Sequence, residues 1–556
     1  MLRTSEDKDK WIYYLRMMSR DSAVNGTPFE ALLQKLMVEG GRSSDPIWGD
    51  SMFTIVEEKQ KGTLTTITDE TLKKKAIELD KACYLFTSVL MRAGAVQYHV
   101  DLAQNILTTA LEHESLQNEL YVQLIRLTSG KMPYGLQAWK LMALAIPLYV
   151  PKQYSLLWLL RKHIERWATM AVDSCGSQNS SVEESESKMA GYCRNALERS
   201  RRVGGRVEGP SRFEATTILS RDPCATKLPL CISVQIPSGD YQVIEFDGST
   251  EVGQCLSSLC LKLGLRPALL SGYALYCDTN PSRNGLSDED LVHLKGKQKL
   301  CDCMTAWERQ AREKNHGPLT EALVSLRLKL RVRHHWRAIA HEETPMERLL
   351  LCHRMAEEIT LGQFPMSNEL AEDVCALYAQ MNFSDCPGAM SDAHFDQLLS
   401  RCYPKKMLEV ACERTLKMNI QQHWSQLSGV TPTECVRMML AVFRRWKFFG
   451  SYVKPAREKM NTTQLVYIAL NDQGLHMLSN KQMELVRSFP YHKLVSFGEF
   501  HNDFMVTVTR ETKDIQETPR ERLTFAMDPK HVEQLTCHIA EYMRCQKLVW
   551  KMSSMK

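Results

Sequence analysis

Apolar residues recur at three- and four-residue steps through the first 220 positions, and then the rhythm changes. Between Glu114 and Gly130, the residues Leu116, Leu120, Leu124 and Leu127 fall on one stripe, widened by Tyr121 and Ile125. That spacing predicts an amphipathic helix, with Gln117, Asn118, Glu119 and Gln123 off the stripe. The same period predicts a helix through Ala76, Leu79, Cys83, Phe86 and Leu90, capped by Thr68, and others over Val100–Leu111, Trp139–Leu148, Leu156–Trp167 and Tyr192–Arg202. Upstream, residues 6–17 read as a short helix with Trp11 and Leu15 on one face. Thr27-Pro28-Phe29-Glu30 is a capping box opening a helix to Val38. Residues 173–188, rich in Ser and Glu, bury too little apolar surface to order themselves and are expected to be disordered.

After Lys227 the pattern alternates. LPLCISVQIPSGDYQVIEF predicts a hairpin turning at Pro237–Asp240, followed by a helix over Glu251–Leu263, a strand over Tyr273–Cys277, a helix over Cys301–Lys314 and a strand ending at Val332. Residues 341–448 return to the helical period. Their start signals are a capping box at Thr344-Pro345-Met346-Glu347, caps at Ser367 and Ser391, and Thr431-Pro432-Thr433-Glu434. From 451 the chain reads as strands, with a hairpin across Asn471–Gly474. It closes with a helix, Lys530–Met543, that turns Val532, Leu535, Ile539 and Tyr542 inward.

A length of 556 residues accommodates three or four domains. Hydrophobic content of 44% and charged content of 24% are ordinary for a globular chain, and a net charge of +5 gives no global field for nucleic acid. The 18 cysteines include no C-x-x-C pair, so reduced thiols in the cytosol are expected, without metal. The chain opens on polar, charged residues, and no run of eighteen apolar residues occurs, so any membrane contact is expected to be peripheral. No phosphate loop and no nucleophile elbow occurs. His341 precedes two glutamates but lacks a second histidine at the zincin spacing. His334 and His335, among Arg331, Arg333 and Arg337, read as a solvated basic strand end. No enzyme activity and no cofactor is expected.

Several stretches carry a family resemblance. LQNELYVQLIRLTS (Leu116–Ser129), the Trp139 helix, YCRNALERS (Tyr192–Ser200) and the closing GRVEGPSRFE (Gly205–Glu214) resemble a MyTH4 domain, the helical module of certain myosin and kinesin tails. The Ser/Glu segment would then be an insertion within it. EEITLGQFPMSNELAEDVCALYAQMNFSD (Glu357–Asp385) and FFGSYV (Phe448–Val453) resemble a FERM domain. The charged run before Trp11 resembles the last helix of a pleckstrin-homology domain, in which a tryptophan plugs the barrel. The strands that should precede it are missing, so the chain is expected to be a fragment or short isoform. Together these are similar to the C-terminal part of the pleckstrin-homology, MyTH4 and FERM domain-containing proteins (family H).

The resemblance implies a multidomain α plus α+β fold. Residues 1–20 would be the helix of a truncated pleckstrin-homology domain, 21–45 a linker with a short helix, and 46–220 a helical MyTH4 bundle holding the disordered insertion 173–188. Residues 228–548 would be a three-lobed FERM domain, with a ubiquitin-like lobe at 228–340, an all-α acyl-CoA-binding-like lobe at 341–450 and a pleckstrin/phosphotyrosine-binding-like lobe at 451–548. Residues 549–556 would form a tail.

Three surfaces are candidates. By resemblance, the third lobe would accept an extended peptide at an edge strand, Lys493, Leu494, Val495, Ser496 and Phe497, with His538 and Tyr542 on the helix side. Lys73, Lys74, Lys75, Arg161, Lys162 and Arg166 form a candidate basic face for the cytoskeleton, microtubules or actin. Arg444, Arg445, Lys447, Lys454, Arg457 and Lys459 form a candidate cluster for anionic lipid. The expected function is a non-enzymatic adaptor linking cytoplasmic tails of receptors or adhesion proteins to the cytoskeleton, in the cytoplasm and at the inner face of the plasma membrane. The alternative is a peripheral module directed to anionic lipid by basic FERM surfaces.

Overall fold

The computed structural model describes residues 5–18, 26–54, 62–129, 135–173, 180–220, 228–278, 291–315, 327–387, 392–459, 464–509 and 520–554. They form two compact units. The first takes residues up to Ser233 with Val243–Cys255 and Leu294–Leu326. The second takes Val234–Gln242, Leu256–His293 and everything from Arg327.

The first unit is a helical bundle of α1 (Ser5–Met18), α2 (Pro28–Val38), α3 (Glu70–Ser88), α4 (Val96–Leu111), α5 (Glu114–Ser129), α6 (Gly135–Ala145), α7 (Tyr154–Asp173), α8 (Ser180–Val203) and α9 (Arg212–Ser220). One apolar core runs from Phe29 to Leu219. The capping box at Thr27 forms with Glu30, and Pro28 takes the first helical position, where a missing N–H costs nothing. At α3 the cap is Asp69, whose carboxylate accepts from the Thr71 amide, and not Thr68 as the sequence suggests.

Helix α5 lies at the centre of this core, and its stripe is only part of what it buries. Glu119 and Gln123 are each 1% exposed. The reason is a loop from far upstream. The Glu119 carboxylate accepts from the Leu64 amide at 2.9 Å, the Thr65 amide at 2.8 Å and the Thr65 hydroxyl at 2.6 Å. With the Gln123 side-chain amide at 3.3 Å, four donors satisfy a group that would otherwise be costly to bury. Burial raises its pKa, and these hydrogen bonds pull back against the rise.

One expectation is corrected here. Helix α8 begins at Ser180, so 180–188 is helical rather than disordered. The segment is ordered by the turns of α8 downstream of it, because Met189, Ala190 and Cys193 are buried in the core and α8 packs along α7 and α6. Residues 174–179 lie outside the described residues. In α1, Trp11 is 58% exposed. Tyr13 is the residue turned inward, 5.7 Å from the ring of Tyr154 on α7.

The next lobe holds β1 (Leu230–Gln235), β2 (Tyr241–Phe246), α10 (Val252–Leu263), α11 (Ala268–Ser271), β3 (Tyr273–Asp278), β4 (Leu291–His293), α12 (Leu300–Asn315) and β5 (Arg327–Val332). Its sheet has the order β2-β1-β5-β3-β4, with β1 and β5 parallel at Val234–Leu328. Within the first unit, the bundle's closing segment is tied to α12. The buried Arg206 donates twice to Glu214, at 2.7 Å each, and through Nε to Asp302 at 2.8 Å. Glu308 accepts the Arg212 amide at 2.8 Å. Burial opposes the Arg206 charge, but Glu214 and Asp302 overcome it and hold its pKa above the ordinary range.

The helical lobe of the second unit comprises α13 (Pro345–Thr360), α14 (Asn368–Phe383), α15 (Asp392–Cys402), α16 (Lys405–Leu408), α17 (Glu413–Gln426) and α18 (Pro432–Phe443) around its own core. Thr344 and Glu347 form the expected capping box, and Ser367 and Thr431 cap α14 and α18. The cap expected at Ser391 lies outside the described residues. The last lobe is a seven-stranded sheet closed by one helix. Its strands are β6 (Tyr452–Glu458), β7 (Gln464–Asn471), β8 (Gly474–Ser479), β9 (Leu485–Pro490), β10 (Leu494–Phe500), β11 (Asp503–Thr509) and β12 (Arg520–Ala526), and the helix is α19 (Pro529–Ser554). The order is β10-β11-β12-β6-β7-β8-β9, all antiparallel, with the predicted Asn471–Gly474 hairpin joining β7 and β8.

Candidate partner-binding groove

Among the described residues, strand β10 sits at one end of the seven-stranded sheet, pairing through Phe497–Val506 and Gly498–Met505 with β11 alone in the sheet order. The two strands are joined at His501-Asn502, both at positive φ (50° and 66°). Such a two-residue turn matches the twist of a hairpin, and asparagine tolerates it well. A register shift between Leu494 and Ser496 leaves Val495 out of the regular pairing. A free strand edge offers backbone N–H and C=O groups to any extended chain.

Helix α19 packs along β10 and makes the second wall. Gly498 has φ of 149°, a backbone that side-chain-bearing residues rarely adopt. A Cβ there would lie 3.9 Å from the Thr536 Cγ2 on α19. That is an ordinary contact distance, so the glycine answers the backbone conformation of β10 and not a close approach of the helix. Leu494 and Phe497 turn toward the lobe's core, whereas Val495, Ser496, Glu499 and Phe500 are exposed. The Arg522 guanidinium lies over the Phe500 ring, 4.0 Å from its centroid.

His538 and Tyr542, expected on the helix side of this groove, are elsewhere. His538 is buried, its ring 4.6 Å from Tyr452 and 5.8 Å from His334. Tyr542 is 1% exposed, and its hydroxyl accepts the His335 amide at 3.1 Å. A helix packed on a sheet turns different faces to its two sides, and these two residues share the face that meets the lobe junction. The groove wall is the Thr536 side.

That junction also overturns the solvated reading of residues 331–337. Arg333 is buried, donating to Glu541 and, at 3.1 Å, to the Tyr276 hydroxyl. Arg331 is held by Glu357, His334 lies 3.3 Å from Glu541, and His335 lies 3.4 Å from Glu343. Burial raises the Glu541 pKa, but hydrogen bonds from His334 and Arg333 outweigh it and hold the carboxyl at about 2. Burial, reinforced by Arg333 and His334, drives His538 well below the usual histidine range. The 120 Å³ cavity here is lined by Tyr276, His293, Arg333, Arg354, Glu357 and His538, among others. Its charges already answer one another, which makes it a joint between lobes more than a receptor.

Several cations of the two basic clusters are paired with acids. Lys73 pairs with Glu70, Lys75 with Glu112 and Lys162 with Glu165, at 2.6, 2.7 and 3.4 Å. Arg166 lies over the Trp48 ring at 5.2 Å. The lysines of α3 and the cations of α7 stand on different helices, with Lys74 exposed. In the second cluster, Arg444 is held by Glu343 and Lys459 by Asp503. Lys454 and Arg457 lie three residues apart on β6, and the two-residue period of a strand sends them to opposite faces. Sequence proximity suggested one patch, and the pleat divides it.

Comparison with known proteins places these features in a family setting. Residues 103–217 match the model of the MyTH4 domain, and 339–453 match that of the FERM central domain. An uncharacterized protein of Drosophila melanogaster is 29% identical over 98% of this chain and 33% of its own length. Myosin-VIIa of the same fly is 21% identical over 79% of this chain and 19% of its own. The chain thus spans about a third of the first relative and about a fifth of the second. Among solved structures, the human Myosin 7b C-terminal MyTH4-FERM domain, in complex with the harmonin-a PDZ3 domain, superposes with a TM-score of 0.65 at 16% identity. The match covers 88% of this chain and 92% of that one. The MyTH4-FERM MF1 domain of Dictyostelium discoideum Myosin VII gives 0.66 at 16% identity, covering 89% and 93%. Fold, family models and element order agree: this chain carries a MyTH4 domain and a FERM domain in tandem.

Proposed function

We propose that the chain is an adaptor whose third FERM lobe takes an extended segment of a partner's cytoplasmic tail as an added strand on β10. The observation that carries this is the edge position of β10 among the described residues, with α19 packed against it. Backbone pairing supplies affinity, and the exposed Val495 and Phe500, with Arg522, supply preference among partners. The Myosin 7b relative holding a PDZ domain supports a protein-binding role. In this reading the MyTH4 domain spans 46–220 and the FERM domain 228–548, and the partner is the tail of a membrane receptor or adhesion protein. No helix of the described residues is long and apolar enough to cross a membrane.

The test uses the whole chain and a panel of receptor-tail peptides, with and without phosphotyrosine. Thr536→Trp fills the groove from its helix wall. Loss of peptide binding in this variant, with unfolding unchanged, is expected. Peptide binding that survives it would place the site elsewhere.

The cytoskeletal half of the proposal rests on the likeness to myosin tail modules and on the exposed Lys74 beside Lys73 and Lys75. Co-sedimentation with microtubules and actin filaments at two salt concentrations decides it. A salt-sensitive pellet with one polymer is expected, and absence from both pellets removes that half.

A further inference from the structure

Helix α19 runs opposite to β10. Thr536 lies beside Gly498, and further along the helix the ring of Tyr542 stacks 6.2 Å from that of Tyr491, which precedes β10. The C-terminal half of α19 therefore accompanies the Leu494 end of the groove, and its first turns accompany the Phe500 end. From Thr536, steps of four, three and four residues lead to Ala540, Met543 and Lys547, so these share the flank that Thr536 turns to the strand. Ala540, Met543, Lys547 and the neighbouring Arg544 are all exposed.

The two ends differ in charge. At the Phe500 end the signs are mixed: Glu499 and Glu533 are exposed, and Arg522 and Lys530 stand exposed with them. At the Leu494 end, Arg544 and Lys547 make no ion pair among the described residues. Two acids of that region are already answered. Glu541, in the turn before Arg544, is held by Arg333 and His334, and Asp472 accepts the Arg337 amide at 2.9 Å. An extended segment on β10 thus meets two unanswered cations at one end only.

Resting on the reading of β10 as a docking edge, we propose that the added tail segment carries carboxylates just C-terminal to its strand-forming part. Every ladder of this sheet is antiparallel, and antiparallel pairing is the more stable per residue, so an added strand runs against β10. Its C-terminal flank then emerges at the Leu494 end, where Arg544 offers a forked contact to a carboxylate and Lys547 a point charge. Both cations are exposed and screened by water, so they select among segments more than they add to affinity.

The experiment titrates the whole chain with fluorescent synthetic peptides, blocked at both termini, that share a core of alternating valine and threonine. One carries three glutamates after the core, one carries them before it, and one has glutamines in both places. Anisotropy should show the first binding about three- to tenfold more tightly than the glutamine peptide, as two exposed ion pairs allow, with the gap closing at high salt. Arg544→Gln/Lys547→Gln should erase that gap and leave affinity for the glutamine peptide unchanged. Equal affinity for all three peptides, abolished by Thr536→Trp, overturns the proposal and leaves the groove standing. Preference for glutamates before the core, or a gap that survives in the double variant, overturns it as well. No binding of any peptide overturns the groove, and the proposal with it.

Discussion

Helix α5 and strand β10 stand at opposite extremes of burial. α5 is enclosed so fully that even Glu119 and Gln123 are inside, and the Glu119 carboxylate is satisfied by the chain's own donors. β10 leaves Val495, Ser496, Glu499 and Phe500 in the open and ends the sheet. The words that resemble a known family lie in α5, where side-chain identity is dictated by packing. The proposed binding lies in β10, where the attractive groups belong to the backbone and nearly any sequence would supply them. A module can thus be recognised by residues that bind nothing.

If that contrast is right, perturbing the interior of the first unit costs stability and perturbing the β10 edge costs only binding. Acid gives the largest effect. His163 is buried and stacked on Trp139, 5.5 Å between centroids, and burial with Arg166 nearby lowers its pKa to about 3. The unfolded chain, with an ordinary histidine, binds the proton first. Stability is therefore whole above pH ~6.5 and falls as pH drops toward 3, by about 5 kcal/mol from this residue alone. His476 in the third lobe, lowered to about 4 by burial with Lys447 and Arg337 nearby, acts in the same direction over a narrower window. Denaturant unfolding across this range should show the loss, and His163→Phe should flatten its slope. A wild-type curve level between pH 6.5 and 4 would contradict the buried neutral histidines.

Arg206→Ala comes next. It leaves Glu214 and Asp302 without their shared cation and should destabilise the first unit by about 3–5 kcal/mol. Glu119→Ala strips four donors of their acceptor and should cost about 3 kcal/mol. Both are read by chemical denaturation, and a change under 1 kcal/mol in either would mean that water replaces the lost partner. The smallest effect belongs to the edge: Val495→Thr or Thr536→Trp should move stability by no more than about 0.5–1 kcal/mol. A larger loss would show that β10 is part of the core and not a free edge.

Local signals in the sequence were reliable where they are local in space. The capping boxes at Thr27 and Thr344 involve residues three apart, and both form. The Asn471–Gly474 hairpin is equally short-range. What could not be read depends on partners far along the chain. Glu119 meets Leu64 and Thr65 across 55 and 54 residues, and Arg206 meets Asp302 across 96. An amphipathic stripe locates one buried face, and gives no sign that a distant loop will bury the other. The charge clusters erred for a related reason. Runs of lysine and arginine look like one patch until acids from other elements, such as Glu112, Glu343 and Glu541, pair with them. Of the proposed groove, the edge strand could be placed by counting strands against the family pattern. The orientation of α19 could not, because Val532, Leu535 and Ile539 give its buried face without showing which flank meets the sheet edge and which meets the lobe junction.

Hydrogen exchange of the whole chain, with and without a tail peptide that binds it, tests the central claim most directly. The account predicts that amides within Leu494–Phe500 slow on binding, together with those of α19 near Thr536, and that Leu116–Ser129 is equally slow in both states. Unchanged exchange in Leu494–Phe500 at saturating peptide would contradict it.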